Sequence, residues 1–399
     1  MLKELFPIFN EKSDLVYLDT AATSLKPRVV LKQMLDYYTD YSSNIARGFY
    51  PIADMATQKV IDARKQVAEF VSASSSEIVF TSGATDGMNK VALGVLGKIS
   101  KQNENVDGFN VVVCENEHHS SLLPIVAQAQ NFGFKIKVAK EFSDIESLID
   151  SKTVLVYVTL ASNVLNHIVD VSSISAKAQK HSALVLVDAC QAVSHREVNF
   201  KELGCDFLVF SGHKLYGPTG VGVLVVKESA YAKLDPIFFG GGAVENVFFE
   251  KDVQITLKNG YEAFETGTLP IAEIIGLAAA IEFVSQISMK TISQNENELS
   301  QYLLTELKKL DFIELLEPDL SQAHLVSFNV NNVHSHDVAF MLGQKNICVR
   351  AGQHCAHLLH KKMGLHGSVR VSFGIYNSVE DCDRLLAELK EINSMFNER

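Results

Sequence analysis

The chain has 399 residues, a formal net charge of −11 and a pI near 5.6, which argues against a nucleic-acid or anionic-membrane surface. Hydrophobic residues make up 47% and charged residues 21%, ordinary globular values; a single core seldom grows beyond ~250–300 residues, so two domains sharing an interface are expected. No apolar run reaches the ~18 residues of a membrane span, and the stretch Met1–Pro7 lacks the apolar core of a secretory signal, so the chain reads as cytoplasmic.

Residues 14–20 predict a short strand entering a small-residue turn, and Pro27 starts a helix to about Tyr41, a favoured place for proline. Gln58 to Phe70 reads as a second helix. Glu77 to Phe80 is a strand, followed by Thr81–Gly87 and a helix from Met88 to about Ile99. Small residues and hydroxyls between a strand and a helix suit a phosphate cradle, because backbone N–H groups and the helix dipole favour an anion. An ordinary capped turn explains the segment equally well.

Strand and helix patterns then alternate: strands at Val111–Cys114, Lys135–Val138, Val154–Leu160 and Ala183–Val187, with helices at Ser120–Asn131 and Ile174–His181. This rhythm implies an α/β architecture, a parallel sheet covered by helices on both faces. Ligands of such sheets sit off the carboxyl ends of the strands, which singles out Glu117-His118-His119, Ser162-Asn163, Asp188 with Gln191, and Lys214. The last lies in Ser211–Gly220, between the apolar runs Cys205–Phe210 and Val221–Val226. Desolvation at a strand end lowers an amine's pKa and suits a Schiff base with an aldehyde cofactor, pyridoxal phosphate first of all. A solvated lysine in a glycine-rich hairpin is equally compatible with that segment alone.

Beyond Gly240-Gly241-Gly242 an irregular polar stretch is expected to Tyr261, then a long helix from Ile271 to about Gln286 that bridges to a smaller α+β part. There, a helix at 296–310, the strand Leu325–Val330 and a helix near 336–345 precede the strands Ile347–Arg350 and Val369–Phe373. A last helix starts at Ser378, with Asp381 at capping-box spacing. Six cysteines lack paired spacing, so neither disulfides nor a zinc ribbon is suggested. Cys355 differs from the rest in its neighbours Gln353, His354 and His357. A metal cluster of His354, Cys355, His357 and His360 lacks cysteine pairs or a carboxylate partner, and no metal is expected.

Around Lys214 the remaining candidates form one constellation. Asp188 could pair with a protonated pyridine nitrogen, Gln191 could donate to a phenolate, and His118 could lie on the ring. Thr85, Ser211 and His213 are plausible phosphate donors, while Asn163 and Arg370 could hold an amino-acid carboxylate.

Six motifs carry a family resemblance: Glu117–Ser120, Ser162–Leu165, Val187–Ala192, Phe210–Gly220, Phe264–Thr268 and Arg350–Ala356. Through them the chain, from about Tyr17 onward, resembles the group II cysteine desulfurases of the class V aminotransferase superfamily. The resemblance implies a fold type I pyridoxal-phosphate enzyme with a mostly parallel seven-stranded sheet sandwiched by helices. It further implies a large domain over 16–265 and a small α+β domain over 266–399, with segment 1–15 packing on the small one. Lys214 would hold the cofactor covalently and move protons. His118 would stack on the ring, Asp188 would meet the pyridine nitrogen and Gln191 the phenolate. Thr85, Ser211 and His213 would bind the phosphate, with Thr268 reaching in from the partner of a homodimer. Asn163 and Arg370 would grip the substrate carboxylate, with Arg350 close by. Cys355 would take sulfur from L-cysteine as a persulfide, release alanine and pass the sulfur to an acceptor protein for iron–sulfur or related biosynthesis. Selenocysteine lyase chemistry, or a weakly active sulfur-relay subunit, would use the same residues. The chain departs from the family pattern at Ala46, Tyr50, Ala263, Leu269-Pro270 and Asn166-His167, and it has no tryptophan.

Overall fold

The computed structural model of the chain describes residues 2–320 and 323–397. Its centre is a seven-stranded sheet whose strands, the edge strand Lys135–Ala139 apart, are short aliphatic runs buried on both faces. The strands are β1 (Ile78–Thr81), β2 (Asn110–Cys114), β3 (Lys135–Ala139), β4 (Thr153–Thr159), β5 (Leu184–Asp188), β6 (Phe207–Ser211) and β7 (Gly222–Val226). Their order is β1-β7-β6-β5-β4-β2-β3, and only β7 runs antiparallel to its neighbours. Continuous valine and leucine runs without polar alternation suit strands covered on both sides. β5 through β7 are almost entirely inaccessible.

The helices packed on this sheet include α1 (Arg28–Asp40), α2 (Pro51–Phe70), α3 (Ala84–Gln102), α4 (His119–Phe132) and α5 (Val171–Lys180). Two of them begin a full turn or more earlier than the sequence pattern predicts. Proline occupies the first turn of α2, where its missing N–H is harmless, and α3 starts directly after Gly83. Hydrophobic periodicity marks neither first turn.

The stretch from Gly240 to Tyr261, expected to be irregular, contains an antiparallel hairpin, β8 (Val244–Phe249) and β9 (Val253–Leu257). Its tip carries Glu250, Lys251 and Asp252, so charge hides the strand pattern, and its apolar residues Val247, Phe249, Val253 and Ile255 are exposed. Next comes α6 (Ile271–Ile287), apolar on all sides and packed into the same core as the large sheet. After a turn at Ser288, α7 (Met289–Leu307) runs on to a second core.

That second core forms around a four-stranded antiparallel sheet of β10 (Ile313–Leu315), β11 (Leu325–Val330), β12 (Arg350–Gly352) and β13 (Ser368–Ser372), in the order β10-β11-β13-β12. Helices α8 (Ser335–Gln344) and α9 (Val379–Asn397) cover it. The backbone N–H of Ser378 donates to Asp381 before α9 begins. The N-terminal segment touches both cores. Phe6 packs edge-on to Tyr376 and Phe283, while Lys3 pairs with Asp381 at 2.7 Å. No single helix among the described residues is long and apolar enough to cross a membrane.

Candidate active site

The carboxyl ends of β1, β2, β4, β5 and β6 face one cavity of about 270 Å3. The four-stranded sheet closes its other side with Arg350 and Arg370, joined by His354 and Cys355. Thr85, His118, Asn163, Asp188, Ser211, His213 and Lys214 complete the wall. Two expected site residues lie elsewhere. Gln191 sits just behind the lining, where its Nε2 donates to the carbonyl of Ala21 at 2.9 Å. Thr268 is exposed in a different depression, beside Arg47, Arg64 and Gly267.

Asp188 is the last residue of buried β5. Its carboxylate accepts from the Cys190 N–H at 2.8 Å and from the Ser121 hydroxyl at 2.9 Å, which fixes its orientation. Glu117 lies fully buried nearby, one oxygen accepting from the Thr159 N–H at 3.1 Å and the other unpartnered. Burial pushes its carboxyl well above the usual range, which favours its neutral form.

His118 caps α4. Its Nδ1 accepts from the Ser120 N–H at 3.1 Å, which requires that nitrogen to be unprotonated and puts the proton of the neutral ring on Nε2. Burial and the nearby Lys214 charge hold its pKa down to about 4. His213 is likewise lowered to about 4, by burial and then by Lys214 and Lys26. The Lys26 amine, itself lowered to about 8 by burial, donates to the carbonyls of Ser24 and His213.

The phosphate-cradle turn is tied to the lysine turn. The Ser211 hydroxyl accepts from the Ala84 N–H at 2.8 Å, at the first residue of α3. Gly222 makes this approach possible, since a Cβ there would lie 2.5 Å from the Cα of Gly83. The side chain of a larger residue would push the start of α3 away from the cavity.

On the opposite wall the Cys355 loop is held by bonds between side chains and backbone. The Asn163 amide donates to the His354 carbonyl at 2.8 Å, and the His119 N–H donates to the Cys355 carbonyl at 2.8 Å. Val164 packs with Ala356 and Leu359 beneath it. Both His354 (φ 49°) and Cys355 (φ 55°) are left-handed, a conformation that costs about 1–3 kcal/mol per non-glycine residue. The Cys355 side chain is exposed. His354 and His360 both direct Nε2 to the Ser368 hydroxyl, at 3.0 and 3.1 Å. Burial, with Arg370 adding to it, lowers His354 to about 2.

Arg370 is buried. Its NH1 donates to the Asn163 carbonyl at 2.8 Å and its NH2 to Asp19 at 3.3 Å, while Nε has no protein partner. Arg350 grips the same Asp19 through Nε and NH2 at 3.0 and 2.7 Å. Asp19, Ser121 and Lys26 are contacts that the sequence reading missed. Each lies in a short polar or small-residue stretch with no spacing that links it to its partner.

The comparisons agree with this geometry. Residues 16–385 match the aminotransferase class-V family. A probable cysteine desulfurase of Halalkalibacterium halodurans is 39% identical over 406 residues, covering 99% of this chain and 98% of that protein. The apo cysteine desulfurase of Thermococcus onnurineus NA1 has the same fold with a TM-score of 0.91 at 37% identity, covering 98% of this chain and 97% of its own. A cysteine desulfurase of Escherichia coli, solved as its S-sulfonic acid, gives a TM-score of 0.89 at 29% identity over 98% of both chains.

Proposed function

The chain belongs to the aminotransferase class-V family, and we propose that it works there as a pyridoxal-phosphate-dependent cysteine desulfurase, converting L-cysteine to L-alanine with transfer of sulfur to Cys355. The observation that carries this reading is a single cavity with both Lys214 and Cys355 on its wall.

The residues fit the cofactor. An oriented carboxylate at Asp188 suits a pyridinium, and the buried Gln191 Oε1 is without a protein partner. The Ser211 hydroxyl already accepts from Ala84, so its own proton is left to donate to a phosphate oxygen. The Thr85 hydroxyl, the neutral His213 ring and the start of α3 complete an anion site. Bound there, pyridoxal phosphate supplies an electron sink for the carbon that loses sulfur.

This chain's own residues then divide the work. Lys214, whose amine has no hydrogen-bond or ion-pair partner among the described residues, binds the cofactor's aldehyde and carries a proton at Nζ. The neutral His118 covers the ring and keeps water from it. Arg370, through its unpartnered Nε, and Asn163 hold the substrate carboxylate. Cys355 attacks the substrate sulfur. An S–S bond forms at Sγ as the C–S bond breaks, the bonding pair stays with carbon, and a proton from Lys214 completes alanine.

The same reading takes the protein as a cytoplasmic homodimer. Phe49, 99% exposed, and the apolar hairpin residues offer surface for a second copy, and Thr268, remote from its own cavity, is free to reach the partner's. All the cysteines are unpaired, which suits a reducing compartment. The exposed Cys355 is open to an acceptor protein. The test is direct: borohydride should fix the cofactor on Lys214, and cysteine should yield alanine with a persulfide on Cys355. A protein that takes up no added pyridoxal phosphate overturns the reading, and faster turnover of selenocysteine than of cysteine would reassign the substrate.

A further inference from the structure

One backbone carbonyl beside the cavity is over-supplied with donors. The His213 carbonyl accepts from Lys26 Nζ at 2.9 Å, from the Ser24 hydroxyl and the Ser24 N–H at 3.0 Å each, and from the Thr23 hydroxyl at 3.1 Å. A carbonyl oxygen has two lone pairs, so the three uncharged donors satisfy it without the lysine. The same strap holds the far side of Lys214, where the Ser24 hydroxyl accepts from the Tyr216 N–H at 2.6 Å. Local geometry therefore accounts for Thr23 and Ser24 but gives no reason for an ammonium.

Lys26 also lacks a counter-ion. It donates further to the Ser24 carbonyl at 2.5 Å and to the Thr23 hydroxyl at 3.5 Å, and no carboxylate pairs with it among the described residues. Burial lowers its amine to about 8, so it is still mostly charged at pH 7. A partly buried charge on three neutral oxygens carries a desolvation cost that no opposite charge offsets. Its field reaches the His213 ring, which faces the cavity beside Thr85 and Ser211.

The anion site has the opposite imbalance. Thr85, Ser211, the neutral His213 ring and the first turn of α3 offer donors and no formal charge. Asp86 and Lys90, near the start of α3, pair with each other. A phosphate monoester carries a charge of about −1.5 to −2 at pH 7. We propose that Lys26 is the counter-charge of this anion site, held behind its wall by the His213 carbonyl, and that it makes the cavity select phosphorylated over unphosphorylated ligands. This rests on the reading of the cavity as a pyridoxal-phosphate site. Lys26 is not on the cavity wall; it acts through its field and through the His213 that it holds.

The test titrates the full-length protein, freed of cofactor, with pyridoxal phosphate, with pyridoxal, which has the same aldehyde and no phosphate, and with inorganic phosphate by calorimetry. Wild type should bind pyridoxal phosphate more tightly than pyridoxal. Lys26→Met should reduce that preference by about tenfold or more, the scale of one unit charge about 10 Å from a phosphate in a partly screened site. Its affinity for pyridoxal should stay within about threefold of wild type. Lys26→Arg should keep the preference, and so should Thr23→Val, which removes an uncharged donor from the same carbonyl. Equal weakening of both aldehydes in Lys26→Met would make Lys26 a structural clasp only and overturn the proposal. An unchanged preference in that variant, or its loss in Thr23→Val, overturns it too. Should Lys26→Met fail to fold, Lys26→Gln, which keeps a donor and loses the charge, decides by the same ratio. A protein that binds neither aldehyde, yet binds inorganic phosphate and does so more weakly in Lys26→Met, would overturn the functional reading and leave the counter-charge standing.

Discussion

The two walls of the cavity are built on different principles. On the cofactor side Asp188 and Ser211 terminate β5 and β6, and Lys214 follows within three residues. Their positions are inherited from strands whose side chains are almost wholly inaccessible and paired along their length. On the sulfur side Cys355 sits on a loop with two consecutive left-handed residues. Bonds from Asn163 and His119 and a small apolar cluster hold it. Chemistry that must be repeated at a fixed atom is anchored by the sheet. Cys355, proposed to receive sulfur and hand it on, is exposed and held by contacts that single substitutions can remove.

The sharpest test separates the walls by chemistry. Lys214→Ala should lower alanine production by about 10³-fold or more while the cofactor, if it binds, is no longer fixed by borohydride. Because the position comes from the strands, thermal stability should change little. Cys355→Ala should cut turnover by about 10²-fold or more yet leave the cofactor's absorbance and its borohydride adduct as in wild type. A Cys355 variant that loses the cofactor would mean that the loop supports the opposite wall, and the contrast would fail.

The sheet wall was legible in the sequence, and the reasons are local. Runs such as Leu184–Asp188 and Phe207–Ser211 announce buried strands, and the rule that ligands gather at strand ends pointed to Asp188 and Lys214. The sulfur wall was legible only in its chemistry. Gln353–His357 marked Cys355 as unusual, but nothing in those residues indicates the left-handed turn or the amide of Asn163 beneath it. Asp19 could not be seen at all, since it meets Arg350 across 331 positions and Arg370 across 351. The hairpin of β8 and β9 was missed for a third reason. Val247, Phe248 and Phe249 are consecutive and exposed, so no half-buried alternation marks the strand.

Acid should act on both walls together. His118 and His213 are lowered to about 4 and His354 to about 2, all below the ordinary 6.5. As pH falls below 6.5 the unfolded chain takes up these protons before the folded one, so stability declines with falling pH. It is full above about pH 6.5 and erodes progressively down to the folded values. The melting temperature of the cofactor-free protein should be flat from pH 8 to 7 and lower by about 5 °C at pH 5. A flat profile to pH 5 would mean that these rings are more hydrated than their burial implies, or that the buried Glu117 carboxyl, whose raised pKa acts in the opposite sense, offsets them.

The smallest effect probes the contacts of the sulfur wall. The loop that carries Asn163 and Val164 is itself clasped by Asn166. The Asn166 backbone N–H donates to Glu317 at 2.7 Å, its amide donates to the Leu325 carbonyl at 3.0 Å, and its side-chain oxygen accepts from the His324 N–H at 2.9 Å. These bonds tie the loop to β11, whose Ser327 hydroxyl donates to the Val164 carbonyl at 2.7 Å. Asn166→Gly removes the side-chain bonds and frees the backbone, a loss of about 2 kcal/mol. The change should reach Cys355 through Asn163 and the Val164 cluster without reaching β5 or β6. Hydrogen exchange should therefore quicken across residues 161–168 and 353–356 and stay unchanged in β5 and β6. Equal acceleration in the strands would show that the two walls open as one unit. Quickening confined to 161–168 would show that the His119 bond suffices to hold Cys355.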